Sequence, residues 1–235
     1  MLKQLKSNLT KLVLAASLSS MVACGVDNEK PREPLPLSEF DNHLTLVVCD
    51  NPQEYKQAVG DFRLHEKEYD LKVQSRPAKN DIFYTKVTVK QPDARNNDFM
   101  HIVEKSNLPR LDSLARADNW EKYDFVQYRG HDKTMVPLHN LITKQYNHLL
   151  NDNNAIWFGG CTSYDLAQKI TGGNKVAIGV DGVGKTPANN ERIITYIRSF
   201  EKIKNDRPDS LGWNRLSETM TKSTSYNFYF YPGKK

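Results

Sequence analysis

Short apolar runs alternate along this chain with stretches of helical periodicity, and that alternation most restricts its fold. The runs at 44–49, 82–89, 125–130, 155–160 and 176–180 are rich in β-branched and aromatic residues and read as strands. Helical spacing begins at Gln53, recurs through Leu111, Leu114 and Ala115, and marks the segments 136–150, 164–170 and 191–204. Such alternation predicts an α/β domain with a mostly parallel central sheet and helices on both faces. Met100–Val103 and Asn227–Tyr231 are expected as shorter strands. Residues 90–99 read as polar loop, Asn151–Asn154 as a break after the 136–150 helix, and the charged stretch 63–80 as a surface excursion.

The beginning of the chain has another character. Lys3, Lys6 and Lys11 lead into the apolar run Leu12–Val22, which is about half the length of a membrane-spanning helix. It ends at Met21-Val22-Ala23-Cys24, a small residue before a cysteine, which is the pattern of a secretory signal peptide. The cysteine at the cut resembles a bacterial lipoprotein signal. That resemblance implies residues 1–23 as signal peptide, 24–39 as a lipidated, proline-bearing spacer, and 40–235 as the α/β domain. Cys24 would carry the acyl chains. The protein is then expected at the bacterial cell envelope, held to a membrane by lipid. Gly25, rather than an aspartate, follows the cysteine and points to the outer membrane.

Removing residues 1–23 takes the formal charge from +5 to +2, because the three lysines are their only charged residues. The basicity is therefore mostly targeting signal and not a nucleic-acid footprint, which needs a clustered basic face. No nucleic-acid partner is expected.

Cys49 and Cys161 remain. In an exported protein they could be joined in a disulfide, or each could act alone. Cys49 lies in the apolar run 44–49 and reads as a packed core thiol, and Trp157 likewise reads as core. Cys161 follows Ala155-Ile156-Trp157-Phe158-Gly159-Gly160, and His131 follows Phe125-Val126-Gln127-Tyr128-Arg129-Gly130. Each therefore comes after a strand and a glycine. Sites in parallel sheets form at the carboxyl ends of the strands, so neighbouring strands here would bring an imidazole to a thiol. That pairing makes a thiolate nucleophile. The plain alternatives are a polar loop histidine and a structural thiol.

This arrangement resembles the caspase-like cysteine peptidases, the group that includes caspases, separases, gingipains, clostripain and CHAT domains. Gly130-His131 and Gly160-Cys161 match its two catalytic elements, and the segments 162–167 and 176–179 resemble the helix and strand that follow the nucleophile. The resemblance spans roughly residues 120–205. It implies a three-layer sandwich in which Cys161 is the nucleophile and His131 handles protons. N–H groups near Gly130 and Gly160 would hold the oxyanion. Asp181, at the end of the following strand, would receive a basic substrate side chain. The substrate or partner is then a protein or peptide. Asp132 stands where the family usually has a glycine after the histidine, which leaves an inactive caspase-like binding module at the envelope as the alternative.

Gly179-Val180-Asp181-Gly182-Val183-Gly184-Lys185-Thr186 formally matches the phosphate-binding loop and gives a minor nucleotide-binding alternative. It comes late in the chain, and no apolar strand ending in an acid follows it to hold magnesium. The six histidines show no compact ligand spacing, and His139 and His148 lie nine residues apart on one predicted helix. No cofactor or metal is expected. Mass spectrometry of the mature N-terminus is expected to find an acylated Cys24; an unmodified terminus would overturn the lipoprotein expectation.

Overall fold

All six residues of Leu44–Cys49 are buried, as in a strand covered on both faces. The computed structural model describes residues 35–78, 81–91, 97–161, 163–170, 175–181, 186–223 and 227–231. Its strands are β1 (Leu44–Cys49), β2 (Leu71–Ala78), β3 (Asp81–Val89), β4 (Asp98–Glu104), β5 (Tyr123–Arg129), β6 (Leu150–Phe158), β7 (Lys175–Asp181) and β8 (Asn227–Tyr231). The helices are α1 (Pro52–Leu64), α2 (Leu108–Ala117), α3 (Asp132–Gln145), α4 (Tyr164–Ile170), α5 (Thr186–Asp206) and α6 (Leu211–Ser223).

The strands form one sheet in the order β2-β3-β4-β1-β5-β6-β7-β8. β4, β1, β5, β6 and β7 run parallel. β2 and β3 extend one side antiparallel, and β8 closes the other side antiparallel to β7. The chain is thus α/β with a mostly parallel mixed sheet.

Alternate residues of the central strands enter two separate apolar clusters. Val47, Phe125, Trp157 and Ile178 pack with α1, α5 and α6. Leu46, Val126, Ile156 and Ala177 pack with α2, α3 and α4. Each fully buried aliphatic or aromatic side chain contributes about 1.5–3 kcal/mol, which is why the central strands tolerate so few polar residues. Trp157 is core, as expected, at 1% exposure. Among the described residues, no helix is long and apolar enough to cross a membrane.

Four expectations are corrected. The excursion at 63–80 contains β2, an edge strand whose burial alternates from buried Leu71 to exposed Lys72, half-buried Val73 and exposed Gln74. Its pairing slips at Arg76/Pro77, and proline is tolerated only at such edges and irregularities. The loop expected at 90–99 ends early, because β4 begins at Asp98. The helix expected at 136–150 runs from Asp132 to Gln145, and Asn151–Asn154 belong to β6. Their amides are used as anchors: Asn151 Nδ2 donates to Asp124 and Asn153 Nδ2 to the Glu39 carbonyl at 3.0 Å. Finally, α6 was not foreseen; Trp213 on it packs edge-on against Phe40, with ring centroids 5.0 Å apart.

The packed part of the chain begins before residue 40. Leu35 and Leu37 are buried. Trp213 Nε1 donates to the Leu35 carbonyl at 2.9 Å, and the Leu37 N–H donates to the Asp209 carbonyl at 3.2 Å. Leu37→Ala is therefore expected to destabilise the protein by about 2–5 kcal/mol, measured by denaturant unfolding. An unchanged midpoint would mean that this segment only tethers.

Candidate active site at the carboxyl edge of the sheet

Numbered alone, the parallel strands have the order 2-1-3-4-5. The chain leaves β1 to build β4 on one side and then returns to build β5 on the other. Loops diverge at such a reversal and leave a crevice beyond the strand ends. The residues after β1 and β5 lie at this point, and those after β6 lie one strand further on.

Gly130 follows β5 with φ +154°, a backbone that favours glycine. A methyl group there would lie 2.7 Å from Thr134 Oγ1 and 2.8 Å from Asp50 Cβ. The glycine thus lets the chain turn directly over Asp50. His131 follows with extended backbone and stands immediately before α3. Its carbonyl accepts from Thr134 N at 2.8 Å and Thr134 Oγ1 at 2.7 Å. Its side chain is exposed and makes no capping hydrogen bond to the helix.

Tyr128 pairs with Phe158 across β5 and β6. His131 and Cys161 each lie three residues beyond that pair, on neighbouring parallel strands about 4.8 Å apart. Both loops therefore leave the same edge. Gly159 N donates to the Tyr128 carbonyl at 2.9 Å, carrying the pairing past the last strand residues. A Cβ at 159 would sit 2.9 Å from that same carbonyl oxygen. Asn189 Nδ2, in the first turns of α5, donates to the Gly159 carbonyl at 3.0 Å.

Ser163 pins the far side of the cysteine turn. Its Oγ donates to the Phe158 carbonyl at 2.6 Å and accepts from Val180 N at 3.1 Å, while its N–H donates to the Val180 carbonyl at 2.9 Å. Cys161 is half-buried between these clamps, and Gly160 is buried. Asp181 ends β7, paired with Asn227 of β8, and is exposed rather than enclosed as the resemblance implied. The Asp132 side chain, Thr162 and residues 182–185 of the glycine-rich loop lie outside the described residues, as does Cys24. Of that loop motif, Gly179 to Asp181 belong to β7 and Thr186 opens α5.

Sequence reading missed the polar groups beneath this edge. Asp50, just after β1, accepts from Lys105 Nζ at 2.5 Å, and its N–H donates to the Arg129 carbonyl at 2.9 Å. Arg129 is 1% exposed. Its Nη1 donates to Asn190 Oδ1, and Asn190 Nδ2 donates to Asp61 Oδ2 at 2.9 Å and the Ala58 carbonyl at 3.0 Å. Burial pulls the Arg129 pKa down, opposed by Cys49, Glu54 and Asp61. The one available signal was an acid or arginine directly ending an otherwise apolar strand.

The two thiols are not joined in a disulfide and differ sharply in setting. Burial pushes the Cys49 thiol up to about 12, with Arg129 only partly opposing. Cys49 is thus protonated at neutral pH and shielded, in keeping with a core thiol. A cleft of about 550 Å³ lined by Phe83, Phe99 and Trp120 also opens beside Leu44 at the start of β1, and its lining includes neither His131 nor Cys161.

A small alkylating reagent at neutral pH is expected to modify Cys161 in the folded protein and Cys49 only after unfolding, read by peptide mass spectrometry. Equal native rates would contradict the inert assignment of Cys49. No protein-family model matches this sequence, and no curated protein matches it.

Proposed function

We propose that this protein is an exported, lipid-anchored cysteine endopeptidase of the caspase-like kind, with Cys161 and His131 as its working pair. The observation that carries the reading is their equal offset beyond a register pair on adjacent parallel strands, next to the reversal in strand order. The three layers and the parallel centre of the sheet are consistent with it. The Cys161 thiol gives its proton to His131, and sulfur attacks the scissile carbonyl. The imidazolium returns that proton to the departing amine, and water then releases the acyl group from sulfur. N–H groups near Gly130 and Gly160 hold the oxyanion. Asp181, exposed at the end of β7, meets a basic residue of the substrate, with a guanidinium favoured because it can grip a carboxylate with two hydrogen bonds. Acyl chains on Cys24 keep the domain at the envelope membrane, where protein or peptide substrates reach it.

The rival reading is a binding module that uses the same crevice without turnover. It is favoured by Asp132 in the position after the histidine and by the openness of His131 to solvent. Labelling with a peptide electrophile separates the two. Activated Cys161 is expected to react faster than a simple thiol, and His131→Ala is expected to slow it by about 10²–10⁴-fold. Sluggish labelling that His131→Ala leaves unchanged would favour the binding module.

A further inference from the structure

The opposite end of the sheet gathers a second set of reactive side chains. His43 immediately precedes β1, Asp98 opens β4, Asp124 is the second residue of β5, and Glu201 lies on α5. Asp41 is two residues before His43. One donor atom from each of Asp41, His43 and Glu201 lies within 4.8 Å of the others. Glu201 is remote in sequence from Asp41 and His43 and reaches them only through the packing of α5 beside the start of β1.

Three features distinguish this group from an ordinary acidic surface. His43 Nδ1 lies 3.2 Å from Asp98 Oδ1, and Asp98 is 3% exposed. A carboxylate behind one ring nitrogen orients the imidazole and leaves the other nitrogen to bind, as in the outer sphere of metal-bound histidines. Next, Glu201 is half-buried, and among the described residues its buried Oε1 has no hydrogen-bond partner. Buried carboxylate oxygens are ordinarily paired, hydrogen-bonded or metal-bound. Finally, negative charge is in excess. Asp41, Asp98, Asp124 and Glu201 surround His43. Lys204 contacts Asp41 Oδ1 at 2.7 Å and otherwise donates to the Phe40 carbonyl at 2.6 Å. Asp124 is already committed, accepting the N–H groups of His43 at 2.9 Å and Leu44 at 3.1 Å.

We propose that Asp41, His43 and Glu201 bind a divalent metal ion, zinc in preference to calcium or magnesium, with Asp98 as the positioning residue for His43. One imidazole nitrogen with two carboxylates suits a borderline cation better than a hard one. Zinc bonds of about 2.0–2.2 Å need the donors slightly closer than they stand. Asp41 is 62% exposed and can swing inward, exchanging Lys204 for the metal. The ion would staple the segment leading into β1 to the helix that covers one face of the sheet. It is independent of the Cys161–His131 reading.

The test is calorimetric titration of the full chain, stripped with a chelator, using zinc, manganese, calcium and magnesium salts in turn. One zinc equivalent is expected to bind with micromolar or tighter affinity and to raise Tm. Asp41→Asn changes an exposed side chain and leaves the core intact; it and Glu201→Gln are each expected to weaken zinc at least tenfold. Asp98→Asn is expected to weaken it by about 10–100-fold. His148→Ala, at the surface pair with Asp112, should leave the affinity unchanged. Absence of saturable zinc binding would overturn the proposal, as would affinity unaltered in both Asp41→Asn and Glu201→Gln. Calcium bound as tightly as zinc would overturn the choice of metal.

Discussion

The Gly159 N–H meets the Tyr128 carbonyl at 2.9 Å, one step beyond the last paired residues of β5 and β6. That bond holds two loops together after the strands have ended, and a side chain at 159 would block it. Everything at the carboxyl edge depends on this approach. It sets the cysteine turn beside the histidine turn, and Ser163 and Asn189 then fasten the cysteine turn to β7 and α5. The elements that carry Cys161 are in this way tied to three neighbours.

Beneath that edge the interior is polar. Arg129 lies inside the layer formed by the sheet, α1 and α5, and Asn190 relays it to Asp61. A buried cation is costly unless its hydrogen bonds and countercharge are supplied by fixed groups. Asn190 of α5 supplies one hydrogen bond and is itself held by Asp61 of α1, so the side chain links β5 to both helices below Gly130, while among the described residues its Nε and Nη2 find no hydrogen-bond partner. Removing Asn190 would take away that bond and leave the desolvated charge more costly to bury.

The amino end of the sheet follows a different logic. Asp124 caps the incoming backbone at His43 and Leu44, and Asn151 of β6 donates to the same carboxylate. The polar half of β6, read in sequence as a break, continues the strand because its amides find fixed acceptors. Helix α6 and the segment around Leu37 close this end against α5 through Trp213, Phe40 and Phe200. The chain leading to the domain is therefore part of its packing.

Much of the α/β character was legible because parallel strands buried on both faces are almost wholly apolar, as at Leu44–Cys49, and because helices such as Tyr164–Ile170 and α5 show their buried stripe. The glycines before His131 and Cys161 were equally visible, and the structure shows the need at Gly130, through its positive φ, and at Gly159, through its approach to the Tyr128 carbonyl. β2 was hidden because an edge strand covered on one face needs few apolar residues, and its neighbours are charged. Strand order was hidden as well. β1 lies between β4 and β5, which a linear pattern cannot express because pairing is a long-range choice. Asp50 with Lys105, Ser163 between β6 and β7, and His43 with Glu201 became partners for the same reason. Local sequence determined which segments were strands, helices and turns, through side-chain period and backbone freedom. Tertiary structure alone decided which turns share an edge and which charges meet, because those contacts join residues brought together only by packing of the sheet and its helices.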